Sequence, residues 1–352
     1  MIDIHVHFRD GQQHEKETIL HGYGVACKAG IFSCFDMPNT QPPLTNKEAI
    51  EQRLLMGQTS VTKVNPKATY RVYAGLTSCP SQIEQVLALY NSYRENSRIV
   101  GFKMFAGHST GKMGIVEKEE QRKVYATLAK HDYRGVVAVH CEKTELMDDS
   151  RFDPASPATH SMARPEIAEI ESIKDQIELV NEVHFKGHIH ICHISCQEGI
   201  RIVQEAKASC VNISCGATAH HALLNDTAYS KLGLLAKMNP PLRCEKNRRA
   251  VFEALLTGKI DVIESDHAPH TLQDKMNGAS GIPGFAGTLL LIKALREKGI
   301  NEEMLKALCG DNANKIFSLS LPVSVPSNKE IDEVIDEIRK EYPFDAFRSV
   351  TN

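Results

Sequence analysis

Residues 2–10 read Ile2-Asp3-Ile4-His5-Val6-His7-Phe8-Arg9-Asp10. The apolar run Ile2–Phe8 predicts a strand, on which His5 and His7, two apart, project from the same face. Two imidazoles aimed one way can hold a metal ion, and Arg9 beside them offers a forked donor for a carboxylate. A His-x-His pair standing alone also reads as plain structure, so the rest of the chain decides.

Seven further apolar runs follow: Ile31–Met37, Tyr70–Gly75, Ile99–Phe105, Gly135–Cys141, His188–Ile194, Cys210–Cys215 and Asp261–Ser265. Helical patterns separate them, the clearest being Val116–Lys130, Glu166–Val183, Glu198–Ala208 and Arg248–Leu256. Strands that are apolar nearly throughout belong to a parallel sheet buried on both faces. Eight strand–helix units predict an α/β chain folded as a (β/α)8 TIM barrel. A doubly wound open sheet is the alternative, but no Gly-x-Gly-x-x-Gly follows the first strand to support it. Arg151–Pro165, rich in Pro, Ser and Ala, reads as a long loop. Residues 1–320 are assigned to the barrel and 321–352 to a linker, Leu321–Asn328, with an amphipathic helix at Lys329–Tyr342 packed on its outside.

A formal charge of −3 over 352 residues leaves no electrostatic footprint for nucleic acid. No stretch approaches the roughly 20 apolar residues of a membrane span, and the N-terminus lacks a secretory layout. The ten cysteines mostly sit inside apolar runs, which suits buried thiols in a reducing cytoplasm. Cys192 and Cys196 flank His193 without a second Cys pair at finger-like spacing, so a zinc finger is disfavoured.

In a parallel barrel, functional groups gather where strands finish. The strand ends here supply His5, His7 and Arg9; Asn39; Lys103 within Gly101-Phe102-Lys103-Met104-Phe105; His140; His193; and Asp266 with His267 and His270. Singly, each has an ordinary reading: a hydrogen-bonded surface histidine, an ion-paired lysine, a capping aspartate. Together they are the makings of a hydrolytic metal site. Strand parity places His188 and His190 facing outward, opposite to His193, and at most one of the adjacent His220 and His221 facing inward.

The ordered set His-x-His, strand-four Lys, His, His, Asp resembles the amidohydrolase superfamily. Asp3–Asp10, Met37-Pro38-Asn39-Thr40, Lys237-Met238-Asn239-Pro240-Pro241-Leu242-Arg243 and Ser265-Asp266-His267-Ala268-Pro269-His270-Thr271 resemble the dihydroorotase family within it. Ser161–Ile170 and Gly281-Ile282-Pro283-Gly284-Phe285 are further similar stretches, so the resemblance covers roughly Met1 to Phe317. It implies two divalent metal ions, zinc by expectation. His5, His7 and Asp266 would hold one, His140 and His193 the other, with Lys103 bridging them as N6-carboxylysine. It implies the reversible closure of N-carbamoyl-L-aspartate to L-dihydroorotate in pyrimidine biosynthesis, with Asp266 as general acid and base. Arg9, Asn39 and His270 would hold the substrate carboxylate, and Asn239 and Gly281 the ring. A cytoplasmic homodimer, with possible association with aspartate transcarbamoylase, is the implied setting.

Hydantoinases and dihydropyrimidinases resemble the same scaffold, and allantoinase is a further relative. Their usual substrates lack the ring carboxylate, so Arg9 favours dihydroorotate. A non-catalytic scaffold is the third reading, and the full ligand set argues against it. Many relatives carry an accessory β-sandwich; with the first strand at Ile2, a barrel without it is expected. The Gly107–Gly114 segment reads either as a mobile lid with Ser109 or Thr110 touching substrate, or as a plain surface loop. Ala286, Gly287 and His108 depart from the family pattern.

Overall fold

The computed structural model describes residues 1–94, 96–109, 113–348 and 350. Eight strands follow one another around a single parallel sheet: β1 (Ile2–Val6), β2 (Ser33–Asp36), β3 (Thr69–Gly75), β4 (Ile99–Ala106), β5 (Val136–Cys141), β6 (His188–Ile191), β7 (Ile213–Ala217) and β8 (Val262–Ile263). Past the end of β8, a parallel bridge pairs His267 with Val6, and His7 N–H donates to the His267 carbonyl at 2.7 Å. The sheet thereby nearly closes into the expected (β/α)8 barrel. Every residue of β4 and β5 is buried, which accounts for their unbroken apolar character.

The strands hold side chains in two directions. Outward, Val72, Val137 and Ile189 meet the surrounding helices. Inward, Ile2, Ile4, Phe35, Tyr73 and Val100 form a second core, closed from below by Phe317, Leu321 and Val323. Phe35 meets Phe317 edge-on at 5.1 Å. In β1, a register shift between Asp3 and Val6 changes the alternation after Ile4. That irregularity lets His5 and His7 take over the inward direction from Ile2 and Ile4.

The helices start where their caps dictate. Asn46 accepts from Ala49 N–H to open Lys47–Val64, and Ser327 forms a capping box with Glu330 ahead of Asn328–Lys340. The latter helix buries Ile331, Ile335 and Ile338 against the barrel's outer layer. Arg151–Pro165 differs from the loop expected: it holds the 3-10 turn Pro157–Thr159, begun by a proline at its first position, and the helix His160–Ala163. Among the described residues no helix is long and apolar enough to cross a membrane.

Candidate active site

At the C-terminal end of the barrel, β1 and the segment after β8 bring three ligand atoms together. His5 Nε2 and His7 Nε2 lie 3.2 Å apart, and Asp266 Oδ1 is 3.4 Å from the first and 3.0 Å from the second. Asp266 follows the end of β8 in a left-handed conformation, φ 45°, which carries its carboxylate away from strand alternation. His7 Nδ1 faces the Asn39 side-chain oxygen at 2.8 Å. With its proton on Nδ1, His7 turns the Nε2 lone pair toward Asp266 and His5.

Across the barrel mouth, β5 and the segment after β6 supply a second pair. His140 Nδ1 is 3.1 Å from His193 Nε2, while His140 Nε2 meets Glu142 at 2.9 Å. Glu142 is fixed in turn by Arg164. Burial would raise the Glu142 carboxyl, but Arg164 and His140 outweigh it and hold it well below the carboxylate range. Burial pulls His5 down to about 4 and also lowers His140 and His193, so all three imidazoles are neutral near pH 7. Asp266 is likewise lowered, its desolvation outweighed by the polar His7 and His5 rings that face its carboxylate.

Lys103 on β4 lies between the two groups, fully buried. Its Nζ sits 3.0 Å from Cys192 Sγ and 5.1 Å from the centre of the Phe105 ring. No carboxylate pairs with it among the described residues. The cavity above is lined by His5, His7, Lys103, His140, His193 and Asp266, and also by Arg9, Asn39, Ser109, Asn239 and Gly281. Thr110, the alternative lid contact, lies outside the described residues.

His270 stands one layer back from that lining. Its Nε2 is 3.2 Å from the Arg9 guanidinium and 3.1 Å from the Ser280 carbonyl, and Arg9 Nε donates to the Pro269 carbonyl. Asn239 Oδ1 meets His160 Nε2 at 2.9 Å and the Ser280 hydroxyl at 3.2 Å. Gly281 has φ 134°, and a Cβ there would come within 2.7 Å of the Ala268 carbonyl. Only glycine fits that close approach.

One feature differs from the expectations. His188 and His190 were expected outward, but His190 is fully buried and turns its Nε2 to Glu264 at 3.4 Å; His188 reaches Ser214, the same hydroxyl that His190 Nδ1 meets. The parity argument failed because β6 ends at Ile191 and His193 is left-handed, φ 37°. Its side chain reaches the site from outside the strand alternation. His220 and His221 are both buried, on the short helix Ala219–Leu223; His221 bonds Thr218 and the Pro240 carbonyl.

Glu264 is a residue that the strand-end reading passed over. Its carboxylate accepts from His193 N–H, stands 3.5 Å from His5 Nδ1, and occupies the space where a Cβ on Gly216 would come within 2.6 Å of it. His5 Nδ1, Cys192 Sγ and Glu264 thus form a second compact donor cluster beneath the first. Glu142 and Glu264 each lie two residues from a ligand in sequence, a signal available to inspection but shared by many surface acids.

Comparison with known proteins places this geometry. No family model matches the chain. A dihydroorotase of Pyrococcus horikoshii is 32% identical over 350 residues, covering 98% of this chain and 72% of the relative. A dihydroorotase of Halobacterium salinarum is 30% identical over 340 residues, covering 95% and 75%. Among solved structures, the L-hydantoinase of Arthrobacter aurescens superposes with a TM-score of 0.78 at 20% identity, over 93% of this chain and 73% of that one. The dihydroorotase of Saccharomyces cerevisiae in complex with 5-fluoroorotic acid gives 0.69 at 19% identity, over 91% and 84%. The solved structures establish the shared fold.

Proposed function

The chain belongs to the dihydroorotase family of cyclic amidohydrolases, and on that premise we propose how its residues divide the work. His5, His7 and Asp266 would hold one divalent metal, His140 and His193 a second, and Lys103, carboxylated on Nζ, would serve both. One observation carries this reading. Asn39 and Glu142 each engage the far nitrogen of a histidine, His7 and His140, which turns the other nitrogen's lone pair into the cavity. A fully buried Lys103 without a carboxylate partner fits the same donor set, since carbamylation replaces a costly cation with an anion. Imidazole and carboxylate donors suit zinc. When bound, such ions acidify water and polarise a carbonyl.

The substrate is L-dihydroorotate in the hydrolytic direction and N-carbamoyl-L-aspartate in the synthetic one. Arg9, its guanidinium oriented by His270 and Pro269, and Asn39 grip the ring carboxylate; Asn239 and the Gly281 backbone address the ring. Asp266, ionised at neutral pH, accepts the proton of the attacking water and delivers it to the ring nitrogen as the amide C–N bond breaks. In synthesis the amide bond forms and water departs by the same steps reversed. A reducing cytoplasm suits the ten unpaired cysteines, seven of them buried or half-buried in apolar surroundings.

The test is turnover of dihydroorotate by protein supplied with zinc and bicarbonate, beside dihydrouracil and hydantoin. Dihydroorotate is expected to react far faster than either uncharged ring, and Lys103→Ala to lose the activity. Preference for the uncharged rings would move the assignment to hydantoinase and remove Arg9 from its role. Metal uptake without turnover of any ring would favour a scaffold.

A further inference from the structure

Lys275, in the short helix Leu272–Met276, lies outside the cavity lining yet has no exposed surface. Its Nζ donates to three backbone carbonyls: Lys237 at 2.7 Å, Ala279 at 2.9 Å and Gly281 at 2.8 Å. An ammonium has three protons, so every donor is used and none goes to a carboxylate. We propose that Lys275 is a positioning residue for substrate binding, a clasp that ties the segment carrying Asn239 to the segment carrying Ser280 and Gly281.

The two segments also meet through Lys237, whose Nζ donates to the Gly278 carbonyl and the Ser280 hydroxyl at 2.8 Å each. Gly281 N–H donates to the same Lys237 carbonyl at 2.9 Å, and the Ser280 hydroxyl reaches Asn239; of the two lysines, only Lys275 reaches the Gly281 carbonyl. The Ser280 carbonyl holds His270, which in turn meets Arg9. Movement of residues 279–281 would therefore reach both the ring contacts and the carboxylate clamp. Tolerance is small, because Gly281 already packs against Ala268 too closely for a side chain.

The charge has a second consequence. Burial, with Lys237 and Arg9 close by, pulls the Lys275 ammonium down to about 7. The Phe344 ring, 5.7 Å away, and the carbonyl dipoles offset part of that cost. The three carbonyl acceptors call for the ammonium, and below its lowered pKa that charge adds a positive field on the Arg9 side of the cavity, which an anionic ring satisfies and an uncharged ring does not.

The inference rests on the dihydroorotase reading, and two measurements separate its failure from that of the reading. In Lys275→Met, hydrogen exchange is expected to speed up at least about tenfold at the Gly281 amide while β3–β5 keep wild-type protection. Unchanged exchange at Gly281 would overturn the clasp whatever the substrate proves to be. In zinc-loaded enzyme, the same variant is expected to raise KM for dihydroorotate at least about tenfold with kcat within about threefold, and to lower dihydrouracil kcat/KM by a smaller factor, about threefold, because that ring uses only the Asn239 and Gly281 contacts. Equal losses on both rings would mean a merely structural lysine and would overturn the proposal. Lys275→Arg retains the charge and serves if the methionine variant does not fold. Its KM for dihydroorotate is expected to rise about threefold with ring selectivity kept, and loss of selectivity would count against the inference.

Discussion

At the lower end of the barrel interior, Ile2, Ile4, Phe35 and Tyr73 close on Phe317 and Leu321. A few residues further along the same sheet, His5, Lys103, His140 and His193 are just as deeply buried. Depth is equal and chemistry is opposite. The apolar end gains free energy from every side chain it encloses. The polar end gathers groups whose neutral or charged forms burial disfavours, and it holds them through a rear layer of carboxylates, amides and carbonyls. One end holds the barrel together so that the other can be costly.

If that division is right, substitutions at the two ends should separate activity from stability. The largest effect is expected for Asp266→Asn, with kcat reduced at least about a thousandfold, or about 4 kcal/mol of barrel-top chemistry. Its urea midpoint should stay near wild type in metal-free protein; a collapsed midpoint would erase the distinction. Phe35→Ala is the converse. It should cost about 3–5 kcal/mol of stability in denaturant titration while KM of the surviving folded enzyme is unchanged. Arg9→Met should then raise KM for dihydroorotate by about a hundredfold, about 2.7 kcal/mol, and barely touch dihydrouracil.

The smallest effect concerns protons. Burial, reinforced by Lys237 and Arg164, lowers His160 from 6.5 to about 3. Burial likewise brings His220 down to about 4. Below 6.5 these two histidines take up protons in the unfolded chain that they refuse in the folded one, so their contribution to stability falls as pH drops from 6.5 toward 3 and is flat above 6.5. Urea midpoints of the metal-free protein across that window check the sign. His160→Gln should reduce the slope by close to one proton, and an unchanged slope would contradict the burial argument.

Much of this was legible in the sequence because parallel strands announce themselves. The predicted Ile99–Phe105 and Gly135–Cys141 lie within one residue of β4 and β5. The strand-end donors then followed from the architecture, and the structure gathers His5, His7, Lys103, His140, His193 and Asp266 around one cavity. What escaped was whatever depends on leaving the strand. The shift in β1, the left-handed His193 and Asp266, and the early end of β6 are local backbone events with no apolar periodicity. Glu142, Glu264 and Lys275 escaped for another reason. A charged residue in a sequence reads as surface, and only the packing shows that each is enclosed by partners.

Gly216 and Glu264 carry the last consequence. Because the glutamate's carboxylate fills the volume a side chain on Gly216 would need, the two positions, one on β7 and the other just past the end of β8, share a single allotment of space. In the course of drift neither can change freely. Any residue larger than glycine at 216 becomes acceptable only after 264 has been shortened, and shortening 264 first withdraws the acceptor from His193 and the partner from His5. The pair is an evolutionary ratchet, and in a collection of descendants of this chain the two positions should be inherited together.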